Sequence, residues 1–213
     1  MLLRSLLPSS VTTAEAYSDD PAEAAFPGEQ DLIAAASEGR RREFVTSRRC
    51  AREALAALGE PAVPIRPGPR REPVWPTGVA GSITHCTGYR AAAVVRTSDV
   101  IGLGIDAEPH APLPPRVLGA VTAPGDVEHL AALAAGDPSV HWDRLLFSAK
   151  ESVYKVWYPL TGRWLGFGDA ALEIDPRART FTAHLLVDAP FRTLTGRFLV
   201  ERGLVVTAVA HHE

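Results

Sequence analysis

The sequence predicts an α+β fold made of two similar halves. Two observations carry this. Segments of helical period are followed by clusters of short strands, and that order occurs twice along the chain. The length, 213 residues, is enough for one compact unit or two small ones with a real core.

Residues 1–28 mix Ser, Asp, Pro and Ala and read as irregular, with a short strand near the start. From about Glu29 to Leu58, apolar residues such as Leu32, Ile33, Ala36, Phe44, Val45, Ala51 and Leu55 recur near a period of 3.6. Gly39 is a break point that divides this run into two helices, and Gly59 with Pro61 ends it. Residues 61–78 hold six prolines and form a loop with extended pieces. Strand-like runs at 80–85, 90–96 and 100–106, separated by Thr-Gly and Ser-Asp turns, predict an antiparallel meander.

The Pro-rich stretch 109–115 is a hinge between a first half, 1–108, and a second, 109–213. Residues 117–136 read as helix, turn, helix. Trp142–Tyr158 is a longer helix, ended by Pro159 and Gly162. Three strands follow near 169–175, 180–187 and 195–210, the last folded at Glu201-Arg202-Gly203.

Composition excludes several functions. A net charge of −3 gives no basic field for nucleic acid, so any anion site is local. No apolar run approaches the roughly 20 residues that span a bilayer, and Arg4 and Pro8 interrupt the apolar start, unlike a signal peptide. Cys50 and Cys86 stand alone, without metal-ligand spacing or a disulfide framework. The expected compartment is the cytoplasm, with no membrane partner.

Four stretches hold chemistry. In "FSAKESVYKVW" (147–157), Lys150 and Lys155 are the only lysines, against 20 arginines. In an Arg-rich chain, a surviving Lys marks a place for a compact, mobile charge that a planar fork does not replace. Glu151 and Lys155 share a helix face at i,i+4, which by itself also describes an ordinary surface ion pair. In "VIGLGIDAEPH" (100–110), Asp106 and Glu108 project from one face of a strand end. This is either a solvated acidic turn or a site for an oxygen-liganded cation such as Mg2+. In "AGSITHCTGYR" (80–90), Ser82 and Thr84 face one way and His85 the other. His85 is either a hydrogen-bonded strand-end histidine or a site residue. In "EGRRREFVTSRRCAREAL" (38–55), Arg40, Arg48 and Arg52 recur at helical spacing, as a solvated face or as a phosphate clamp.

Taken together and in order, "GSITHC", "IGLGIDAE" and "FSAKESVYKVW" resemble the three signature motifs of the 4′-phosphopantetheinyl transferases. The likeness continues through "EFVTSRRCAREAL", "HWDRLLFSAKE" and "RWLGF", and is greatest to the actinobacterial branch. The resemblance implies a monomeric pseudo-dimer of α+β halves with coenzyme A and Mg2+ (or Mn2+) in the cleft. It implies transfer of phosphopantetheine to a serine of an apo acyl or peptidyl carrier protein, releasing adenosine 3′,5′-bisphosphate. Asp106, Glu108 and Glu151 would hold the metal. Lys150 would contact phosphate oxygens, Lys155 would stabilise the leaving bisphosphate, and Glu151 would accept the serine proton directly or through water. Arg40, Arg48 and His85 would meet the 3′-phosphate, with Arg70 nearby on a loop and Ser82 near the adenine or its phosphate. Two rival readings are a Mg2+-dependent phosphodiesterase or pyrophosphatase using the same acidic residues, and a non-catalytic binder of coenzyme A or carrier protein.

Overall fold

The computed structural model describes residues 1–212. Its first sheet holds β1 (Thr12–Ala16), β2 (Val79–Cys86) and β3 (Tyr89–Arg96) in the order β1-β3-β2. Its second holds β4 (Gly102–Pro109), β5 (Ala170–Asp175), β6 (Thr180–Leu185), β7 (Thr193–Glu201) and β8 (Leu204–His211), in the order β4-β8-β7-β6-β5. All pairings are antiparallel. Helix α1 (Glu38–Ala57) covers the first sheet. Helices α2 (Pro115–Val121), α3 (Asp126–Gly136) and α4 (Trp142–Thr161) belong to the second half.

The central strand β3 explains how the halves join. Its period of two puts Ala92 and Val94 against Cys50, Ala51, Ala54 and Leu55 of α1. The alternate residues Ala91, Ala93 and Val95 pack with Leu103, Ile105 and Val206 of the second sheet. The small side chains of β3 let it be covered on both faces. The expected pair of α+β halves is therefore observed, with one core shared between them.

Several elements depart from their sequence reading. The first helix begins at Glu38, after Ser37 in an extended conformation, and Gly39 sits within its first turn without breaking it. The apolar run before it forms only a short 3-10 turn, Gln30–Ile33. The meander is corrected as well. β2 and β3 form the expected hairpin around Gly88, but the next strand, β4, pairs with β8. The reason is that β1 already occupies the free edge of β3. The second sheet thus takes its first strand from Gly102–Pro109, within the stretch assigned to the first half. Helix α4 runs past Pro159 to Thr161 and stops at Gly162, which takes φ +65°. The final fold-back occurs as expected, through Arg202 and Gly203, both at positive φ. Among the described residues no helix is long and apolar enough to cross a membrane.

Candidate active site

The site is assembled where β4 meets α4. Gly104 makes this possible: a Cβ there would lie 2.0 Å from the Ser152 carbonyl oxygen. Gly102 likewise leaves room for Val156 and Leu160. On the other side of the contact, Ser148 and Ser152 meet Thr207 of β8 at 3.0 and 2.5 Å, so the buried hydroxyls satisfy one another. The Gly-rich strand motif is thus a packing surface for the helix that carries Glu151 and Lys155.

This close approach brings Lys155 Nζ to the Ile105 carbonyl oxygen and to Asp106 Oδ1, each at 2.9 Å. Asp106 is 6% exposed. Thr84 also donates to its Oδ1, at 3.3 Å, while Oδ2 is buried without a hydrogen-bond partner. Such an orphaned acceptor costs about 1–3 kcal/mol unless something meets it. Burial raises the Glu151 carboxyl above its ordinary range; Lys155 opposes the shift, and the charges of Asp106 and Glu108 add to it. Burial and the Asp106 charge also raise Glu108, against Arg144. Among the described residues, no three His, Cys, Asp or Glu side chains are already gathered as a ligand set; Lys155 pairs with Asp106 and Arg144 with Glu108. Three mutually repelling carboxylates and an orphaned oxygen fit a hard divalent cation.

A cavity of about 690 Å3 opens between the halves. Arg40, Arg48, Arg70, Ser82, His85, Glu151 and Lys155 all line it, whereas Asp106, Glu108 and Lys150 do not. Its cationic end is built on α1. Arg48 Nε donates to the Ile65 carbonyl oxygen at 3.0 Å, and its guanidinium lies 3.5 Å above the Phe44 ring. Burial pushes the Arg48 pKa down to about 10. Ile65 is held in turn by buried Glu29, which pairs with Arg52. This makes Arg52 a support for the loop.

Arg40 meets both Glu43 and His85 Nε2, the latter at 3.0 Å. Because Arg40 only donates, Nε2 must be the unprotonated nitrogen, and Nδ1–H faces Glu43 Oε1 at 3.0 Å. Burial lowers the His85 pKa, against the pull of Glu43. Sequence reasoning missed Glu43, whose only signal was its place three residues after Arg40.

One expectation changes. Lys150, expected on phosphate oxygens, is 3% exposed and donates to Asp126 Oδ2 at 2.5 Å and to the Phe167 carbonyl oxygen at 2.8 Å. Asp126 also accepts from Ala123 and Leu172 N–H. Lys150 is therefore a brace among α3, α4 and β5, and its ammonium does not join the Asp106 cluster. It borders a smaller cleft of about 170 Å3, which Glu151 and Tyr154 also line. Ser82, expected near the adenine or its phosphate, lines the cavity, and its hydroxyl accepts Ile105 N–H at 3.1 Å. Thr84 does the same for Ala107 N–H, so the two hydroxyls stitch β2 to β4 where no backbone ladder forms.

Comparison with known proteins identifies the family. A family model described as the 4′-phosphopantetheinyl transferase N-terminal domain matches residues 28–95, and one for the 4′-phosphopantetheinyl transferase superfamily matches 102–209. The chain is 53% identical to the 4′-phosphopantetheinyl transferase Svp of Streptomyces mobaraensis, over 98% of this chain and 89% of that protein. It is 47% identical to PptT of Mycobacterium tuberculosis, over 98% and 97% of the two chains. Identity to Npt of Nocardia iowensis is 45%, over 99% and 100%. The chain belongs to the 4′-phosphopantetheinyl transferase superfamily, and to its actinobacterial type.

Proposed function

We infer that this enzyme transfers the 4′-phosphopantetheine group of coenzyme A to a serine hydroxyl of an apo acyl or peptidyl carrier protein, using Mg2+ or Mn2+. The observation that carries the reading is the buried, unpartnered Oδ2 of Asp106, beside Lys155 and near Glu108 and Glu151. Asp106 and Glu108 do not themselves line the cavity; Lys155, which pairs with Asp106, and Glu151 do, together with Arg40 and Arg48.

In this reading Asp106, Glu108 and Glu151 would hold the cation. The ion would neutralise pyrophosphate charge and polarise the phosphoryl group. Arg40 and Arg48 bind the 3′-phosphate, Arg70 approaches from the loop, and His85, whose Nδ1–H is on Glu43, orients Arg40 through Nε2. Lys155 meets charge that develops on the leaving bisphosphate. The serine oxygen forms its bond to phosphorus as the phosphoanhydride P–O bond breaks and adenosine 3′,5′-bisphosphate leaves. The serine proton goes to Glu151, directly or through a water. Ser82 shapes the wall through its bond to β4. Lys150 acts through the brace with Asp126. One chain supplies both sides of the cavity, so the enzyme acts as a monomer.

Intact-mass analysis of apo carrier proteins incubated with the enzyme, coenzyme A and Mg2+ tests the reading. A gain equal to phosphopantetheine on one serine is expected. Cleavage of coenzyme A with every carrier unmodified would replace it with the phosphodiesterase reading. Binding of coenzyme A without cleavage would leave only a binder.

A further inference from the structure

The chain leaves the sheet after Pro109, so the backbone groups that follow need other partners. Two neighbouring residues of α4 supply them. Asp143 Oδ2 accepts Leu113 N–H at 2.8 Å. Arg144 donates from Nε to the Ala111 carbonyl oxygen and from Nη2 to that of Pro112, each at 3.0 Å. Its third nitrogen, Nη1, donates to Glu108 Oε2 at 2.9 Å. The whole guanidinium is engaged, and the side chain is only 15% exposed. Arg144 stands roughly two turns before Glu151 on the same helix. It therefore ties the strand of Asp106 and Glu108 to the helix of Glu151 and Lys155.

We propose that Arg144 is a positioning residue for the acidic cluster, aiming Glu108 by gripping its carboxylate and the two carbonyls of the chain that follows it. This rests on the cation reading above. With Oε2 held on Arg144, Oε1 is the Glu108 oxygen that would be left to meet a cation. Outer partners of carboxylate ligands fix ligand orientation in this way. The planar fork is needed because a point charge does not serve a carboxylate and two carbonyls at once.

The test is Mn2+ binding, read by electron paramagnetic resonance in the presence of coenzyme A. Arg144→Ala should weaken Mn2+ binding about tenfold or more, while coenzyme A affinity in chelator stays unchanged. Arg144→Lys should recover part of the loss, since an ammonium still meets Glu108. If Arg144→Ala does not melt cooperatively, Arg144→Lys decides alone, with weakened Mn2+ binding expected. Wild-type or tighter Mn2+ binding in the decisive variant would overturn the proposal, making Arg144 a competitor of the cation. An equal loss of coenzyme A affinity in chelator would also overturn it, showing general collapse. Failure of the unaltered protein to bind Mn2+ would remove the cation reading itself, and this proposal with it.

Discussion

Gly104 and Ser152 touch backbone to backbone, so closely that a Cβ on the glycine would sit 2.0 Å from the serine carbonyl oxygen. Backbone does not yield as a flexible side chain does. Gly104→Ala should therefore push α4 away from β4, costing about 1–3 kcal/mol of stability. It should also part Lys155 from Asp106. Chemical denaturation beside transfer kinetics checks this. A variant with wild-type stability and turnover would show that the contact does not set the site.

The two lysines should respond differently to Arg. Lys155 sits 27% exposed, on Asp106 and at the cavity wall. Lys155→Arg should lower kcat with little change in coenzyme A affinity, because the interaction is made mainly in the transition state. Lys150 is enclosed with Asp126, so Lys150→Arg should instead lower stability by about 1–3 kcal/mol through overpacking. Kinetics and thermal melting of both variants distinguish them. Wild-type behaviour in both would make the rarity of lysine an accident of composition.

That contrast marks how far the sequence is legible. The strands β2 and β3 were readable because their periods and turn are local. The pairing of β4 was not, because its partner, β8, lies about a hundred residues later and β1 silently takes the edge of β3. The acidic pair and Lys155 were readable as chemistry in short motifs. The diversion of Lys150 was hidden, since Asp126 is 24 residues upstream with nothing local to announce it. Glu43 and Arg144 are not among the residues read for chemistry, and their partners, His85 and Glu108, are far away in sequence.

Arg48 should contribute through the 3′-phosphate. Removing a charge-assisted hydrogen bond costs about 1.5–3 kcal/mol, roughly ten- to a hundredfold in affinity. Arg48→Ala should weaken coenzyme A binding by that factor and leave 3′-dephospho-coenzyme A nearly unaffected. Calorimetric titration of both ligands measures this. Equal losses would assign Arg48 to packing on Phe44 alone.

His85 gives a pH dependence with a definite sign. Burial lowers its folded pKa, so the native protein holds it neutral. The unfolded chain takes up a proton near pH 6.5. Between the lowered folded value and 6.5 the unfolded state binds more protons, so stability rises with pH there and is lost as pH falls below about 6.5. His110 and His211 share this direction, and His85→Asn isolates one part of it. The variant should lose less melting temperature than wild type between pH 7 and 5.5. An identical slope would mean that His85 is not buried neutral.

The most direct measurement of the central claim is intact-mass transfer to an apo carrier protein by wild type and Asp106→Asn, each with coenzyme A and Mg2+. The substitution keeps the size of the side chain and the Thr84 contact but removes the charge that faces Lys155 and the proposed cation. Wild type should convert the carrier, and Asp106→Asn should leave it unmodified while melting as a folded protein. Conversion by Asp106→Asn at the wild-type rate would contradict the account.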